Sequence, residues 1–214
     1  SMSRRDDLDE RIKVLVYGKV IRVYTTGEFP TRNALQRLPD EERIDVVCER
    51  YKMWILDIAA DLSANPDAGY AALALLNSYF EMIAQLSGYK PPERESCEKK
   101  KRDEDFVTEV EYGLKKVFVE LEHEPEIAAE IRKRLRNPMA HMGVTQDLVI
   151  IIDEFDEPLV WGPYKGQQAI VINPRLWVKR ISEHFEQFHA DLRSPDPAYD
   201  DLRAAFLARI ARKA

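Results

Sequence analysis

Residues 66–87 constrain this chain more than any other stretch. Leu73, Leu75, Leu76, Tyr79, Phe80, Met82, Ile83 and Leu86 cover most of the circumference of a helix. A helix that is apolar on nearly every side has to be enclosed, so the segment predicts a helical bundle with itself at the centre. Asn65-Pro66-Asp67 supplies a cap, a first-turn proline and a first-turn acid, and Gly88 suits the position just past the helix end. The polar exceptions Asn77, Glu81 and Gln85 are spaced four apart and form one narrow stripe. The stripe is either a solvent seam or the lining of a cleft at Asn77 and Glu81. The seam is the simpler expectation.

Further helices are predicted around this centre. Residues 6–25 carry Leu8, Ile12, Leu15, Val16, Val20 and Val23 at helical spacing, and residues 25–39 read as a connection. Residues 40–62 place Ile44, Val47, Tyr51, Ile55, Ile58 and Leu62 on one stripe. Residues 102–122 bury Phe106, Val110, Leu114, Val117 and Leu121, and a short helix from Glu124 turns Ile127, Ile131 and Leu135 inward. Eight glycines in 214 residues fit a helix-rich chain.

The period changes after Gly143. Leu148–Ile152 and Ala169–Ile172 are compact β-branched runs, with Leu159–Trp161 as a third short candidate between turn residues. They predict a β-hairpin or small antiparallel sheet at about 145–173, accessory to the bundle, with a solvated acidic turn at Asp153–Glu157. Asn173-Pro174 then caps a helix to about residue 193 with Trp177, Ile181, Phe185, Phe188 and Leu192 inward. A last helix, within an extension at about 196–213, carries Tyr199, Leu202, Phe206 and Ile210 and is expected to pack on a neighbouring subunit. The predicted fold is mainly α: one domain over residues 3–214, a helical bundle with a small β-hairpin inserted before the C-terminal helices.

Several function classes are disfavoured. A net charge of −6 and a pI near 5.4 argue against a surface that coats nucleic acid, though not against a local basic site. There is no glycine-rich phosphate loop, nucleophile elbow, HExxH or internal repeat. Cys48 and Cys97 belong to no metal cluster and are expected as free thiols. His184 and His189 lack the spacing that sets two imidazoles over one metal. The basic run Lys99–Arg102 is cancelled by the acids that follow it. No apolar run reaches the length of a membrane span, so no membrane partner is expected and the cytoplasm is the expected location.

What remains is Arg136-Asn137-Pro138-Met139-Ala140-His141-Met142-Gly143. Asn137 and Pro138 read as a cap and first residue of a new short helix, so Arg136 is expected to end one helix and His141 to sit a turn into the next. An imidazole moves a proton near neutral pH and a guanidinium holds phosphate oxygens. Arg132, Lys133 and Arg134 add positive charge in the preceding turn, where they also complement the helix dipole, and are candidate substrate-binding residues.

The stretch resembles the R-x4-H motif of the HEPN superfamily (higher eukaryotes and prokaryotes nucleotide-binding). The resemblance rests on Arg136-Asn137, Ala140-His141 and Gly143 after a run of helices. It implies an all-helical core that dimerises and, in many members, a metal-independent endoribonuclease with two motifs meeting across the dimer. His141 would then be general base or acid, Arg136 would stabilise charge on the phosphorane, and Asn137 would orient His141 or the phosphate. No cofactor is implied. Pro138 and the strands after Gly143 depart from the family pattern. The alternative is a non-enzymatic HEPN-like dimer that binds another protein or a nucleotide, as in a toxin–antitoxin or defence pairing.

Overall fold

A computed structural model describes residues 32–91, 107–138 and 148–213. The expected helix at 6–25, the basic run at 99–102, Cys97, Phe106 and His141 lie outside the described residues. The described helices are α1 (Arg32–Arg37), α2 (Asp40–Tyr51), α3 (Asp57–Ser63), α4 (Gly69–Leu76), α5 (Tyr79–Leu86), α6 (Glu109–Val117), α7 (Pro125–Ile131), α8 (Pro174–Arg193) and α9 (Asp200–Lys213). Three strands, β1 (Val149–Ile151), β2 (Leu159–Tyr164) and β3 (Gln167–Ile172), stand between α7 and α8. The chain is thus mainly helical with a small three-stranded sheet. Among the described residues no helix is long and apolar enough to cross a membrane. Helix α1 occupies part of the stretch expected as a connection.

A π-helical turn, Lys52–Leu56, joins α2 to α3. Each π turn holds one residue more than an α turn, so the buried face after it moves by one position. The predicted stripe was Ile55, Ile58, Leu62. The residues that are buried are Leu56, Ala59 and Ser63, each one further on, and Ile58 is left 46% exposed.

The segment expected as one helix is broken at Asn77-Ser78 into α4 and α5. Asn77 and Ser78 keep near-helical angles across the break, and the Asn77 side-chain amide donates to the Arg136 carbonyl. The central position is as expected: Leu73, Leu76, Tyr79, Phe80 and Ile83 are buried. Helix α6 lies close against α5. A Cβ on Gly113 would stand 2.1 Å from the Phe80 carbonyl oxygen, so only glycine permits this approach. Thr108 and Glu111 close a capping box at the start of α6. Phe80, Phe118 and Trp177 meet at the core, with centroids of Phe118 and Trp177 4.3 Å apart.

The sheet has the order β1-β3-β2. β2 and β3 form the expected hairpin, turned at Lys165 (φ 50°) and Gly166 (φ 79°), the two positive φ values a type I′ turn requires. The sheet is mixed, however, because β1 pairs parallel to β3 and not antiparallel. Pro163 is tolerated because β2 pairs on one side alone. The sheet is also no accessory. Leu159, Ile170 and Ile172 belong to the same hydrophobic cluster as Trp177 and Phe80. β3 runs directly into α8, whose Trp177 belongs to the same buried cluster.

Asn173 caps α8 as expected, accepting from the Arg175 and Leu176 amides, while its own amide donates to the Asp153 and Phe155 carbonyls. Trp177, Ile181, Phe185, Phe188 and Leu192 are all buried. Helix α9 packs against its own chain: Phe206 is fully buried and faces Phe188.

Candidate functional site at the end of helix α7

Helix α7 does not stop where a cap and a proline predict. It continues through a second π turn, Arg132–Arg136, and Asn137 keeps helical angles (φ −66°, ψ −48°) with its amide donating to the Arg132 carbonyl. Asn137 is therefore no N-cap. Pro138 has no amide to give, and its ring crowds the carbonyl one turn back; a widened turn just before it relieves that crowding.

The π turn sets Arg136 against the polar stripe of the central helices. The Asn77 amide donates to the Arg136 carbonyl at 2.9 Å, and the Arg136 guanidinium donates to the Glu81 carboxylate. A second guanidinium nitrogen lies 3.5 Å from the Asn137 side-chain oxygen. The Arg136 side chain keeps 21% exposure. Asn77 and Glu81 are thus turned toward the motif and are not a solvent seam. Their fourfold spacing marked them as one face, but nothing in the sequence said what that face meets. Two of its groups hold one arginine by both main chain and side chain, which orients the guanidinium before any ligand arrives.

The neighbouring bases are placed differently. Arg132 donates to Glu111 at 2.7 Å, and Glu111 is buried, so this arginine compensates an interior carboxylate. Arg134 pairs with Glu130 at 2.5 Å and donates to the Gln168 carbonyl at 2.6 Å, tying α7 to β3. Lys133, 64% exposed and 3.7 Å from Glu130, is the most open of the three. His141 lies outside the described residues.

Beside Glu81 a cleft of about 430 Å³ opens between α2, α5 and α9. Tyr51, Ser78, Glu81, Met82, Gln85 and Arg209 are among its lining. Gln85 donates to Glu109 at 2.8 Å and accepts from Arg209. The sequence signal missed Arg209 and Tyr51 altogether: one lies on a helix of mixed character, the other sits on an apolar stripe and reads as plain core. Burial pushes the Tyr51 hydroxyl well above the usual tyrosine range, so it stays protonated. Cys48, buried nearby, is pushed up to about 12, first by desolvation and then by Asp45, which leaves it an inert thiol.

Fold and site together define a mainly helical protein with a small mixed sheet and one pre-positioned arginine at a helix end. No protein-family model matches this chain, and no curated protein or solved structure does.

Proposed function

We propose that the chain is a HEPN-like protein that cleaves RNA without a metal, through Arg136 and His141. The observation that carries this reading is the double anchoring of Arg136, five positions before His141 in the sequence, by Asn77 and Glu81. A guanidinium whose direction is set in advance stabilises charge that develops on a phosphorane with little reorganisation. In this reading His141 takes the proton of a ribose 2′-hydroxyl or gives one to the leaving oxygen, and Asn137 steadies the guanidinium. Two copies of the chain bring two such motifs together.

A second reading is a non-enzymatic dimer that binds a protein or a nucleotide. It is favoured by the Glu81 carboxylate, which offsets much of the charge on an arginine that is itself mostly covered. Arg136→Lys and His141→Ala separate the two. Lysine keeps the charge and the Glu81 partner but loses the planar fork. Under the nuclease reading both variants melt close to wild type and lose on the order of 100-fold or more of the RNA cleavage seen in excess chelator. Wild-type protein that cuts no RNA, or variants that cut as well as wild type, would leave the binding module as the function.

A further inference from the structure

Several buried side-chain polar atoms among the described residues have no hydrogen-bond partner, the Arg136 Nε among them; two others, the Tyr51 hydroxyl and the Arg209 Nε, belong to one cleft beside Glu81. Both residues line the cleft of α2, α5 and α9. An unmade hydrogen bond at a buried group costs about 1–3 kcal/mol, so two of them on one cleft call for a cause. Neither serves the packing. Tyr51 already packs its ring, tilted, against Tyr79 and Phe185, and Arg209 already reaches Gln85 through its terminal nitrogen.

The cleft has the composition of a site for a flat, amphipathic group. Val47, Met82, Leu86 and Ile210 give it apolar walls. Tyr51 and Arg209 offer O–H and N–H donors, while Glu81 and the Gln85 amide, four apart on α5, carry acceptor oxygens. Its volume falls in the range that encloses small ligands. Glu81 belongs to both places: it lines the cleft and holds the Arg136 guanidinium. A ligand seated in the cleft lies beside the carboxylate that holds Arg136.

We propose that this cleft binds a nucleobase, with Tyr51 and Arg209 pairing its edge, and that Arg136 takes the phosphate next to it. The proposal rests on the RNA reading of Arg136 and adds a base subsite to it. Met82, an unbranched side chain with three rotatable bonds, lines the same cleft and can change rotamer to admit the base. Pairing at the base edge makes cleavage selective for the base that the cleft accepts.

Binding is tested on single-stranded DNA, which has no 2′-hydroxyl and is not cut. Fluorescently labelled homopolymers of adenine, cytosine and thymine are titrated by anisotropy into wild type, Tyr51→Phe and Arg209→Ala. At least one homopolymer is expected to bind; Tyr51→Phe then weakens it by about threefold to tenfold and Arg209→Ala by about tenfold or more. Tyr51→Phe also removes an unpaired buried hydroxyl, so the free variant is expected to melt at or above the wild-type temperature, a sign opposite to its loss of affinity. Absence of binding by all three homopolymers, binding indifferent to both substitutions, or a Tyr51→Phe protein that melts lower would overturn the proposal. DNA binding that depends on these residues in a protein that cuts no RNA would keep the subsite and remove the nuclease reading.

Discussion

His184 shows how the core sets the chemistry of single residues. Its Nδ1 lies 2.7 Å from the Tyr79 hydroxyl, and its pKa is lowered from 6.5 to about 4, chiefly by burial, with Asp191 opposing and Lys116 adding to the drop. The folded protein thus holds this imidazole neutral where an unfolded chain would protonate it. Between pH 6.5 and 4 the unfolded state binds the extra proton, so stability is complete above that window and falls as the pH drops through it. The loss amounts to at most about 3 kcal/mol, less whatever solvent screening removes. Thermal melts from pH 7 to pH 4 are expected to fall steeply for wild type and less steeply for His184→Gln. Equal slopes would show that His184 does not control the acid limb. In the sequence His184 was legible as a residue flanking a buried stripe, but its partner sits on α5, more than a hundred residues away, and no local pattern carries such a pairing. The same holds for Arg132 and Arg134, which read as a basic cluster open to substrate and are instead committed to Glu111 and to β3.

Elements were legible where their cause is local. The cap at Asn173-Pro174, the buried stripe of α8 and the hairpin residues between β2 and β3 all follow from residue types within a few positions of each other. The two π turns were not legible, because one inserted residue leaves composition unchanged while rotating every side chain after it. That is why Ile58 faces out, and why Asn137 continues a helix it was expected to begin. The parallel pairing of β1 with β3 was equally hidden, since strand order depends on the bundle the sheet must cover. Helix α6 offers a direct test of element packing. Alanine normally stabilises a helix interior by about 0.5–1 kcal/mol over glycine. At Gly113 the added methyl would meet the Phe80 carbonyl at 2.1 Å, so α6 has to retreat from α5. Gly113→Ala is therefore expected to lower the melting temperature at a cost of about 1–3 kcal/mol. A variant that melts higher would show that the two helices are not held so close.

At the scale of the whole molecule, one hydrophobic cluster joins α2, the central helices, the sheet and the last two helices. The position of residues 66–87 at its centre could be read from their composition, since no other arrangement hides that many large apolar side chains. The site is a product of that arrangement. Asn77, Glu81 and Gln85 are the polar face the central helices retain, and α7 and α9 each set an arginine against it. A monomer offers one Arg136, and the proposed chemistry draws on two motifs, so light scattering at micromolar concentration is expected to give twice the chain mass. A monomer there would remove the composite site. The central claim is that Arg136 stabilises a phosphorane formed by attack of a ribose 2′-hydroxyl. That attack forms a bond from O2′ to phosphorus and breaks the bond to O5′, moving one proton off O2′ and one onto O5′. The products have a 2′,3′-cyclic phosphate on one fragment and a 5′-hydroxyl on the other. Mass analysis of RNA fragments made in excess chelator is the direct measurement. The account predicts cyclic phosphate ends from wild type and none from Arg136→Lys; fragments ending in a 5′-phosphate, or cyclic ends produced equally by the variant, would contradict it.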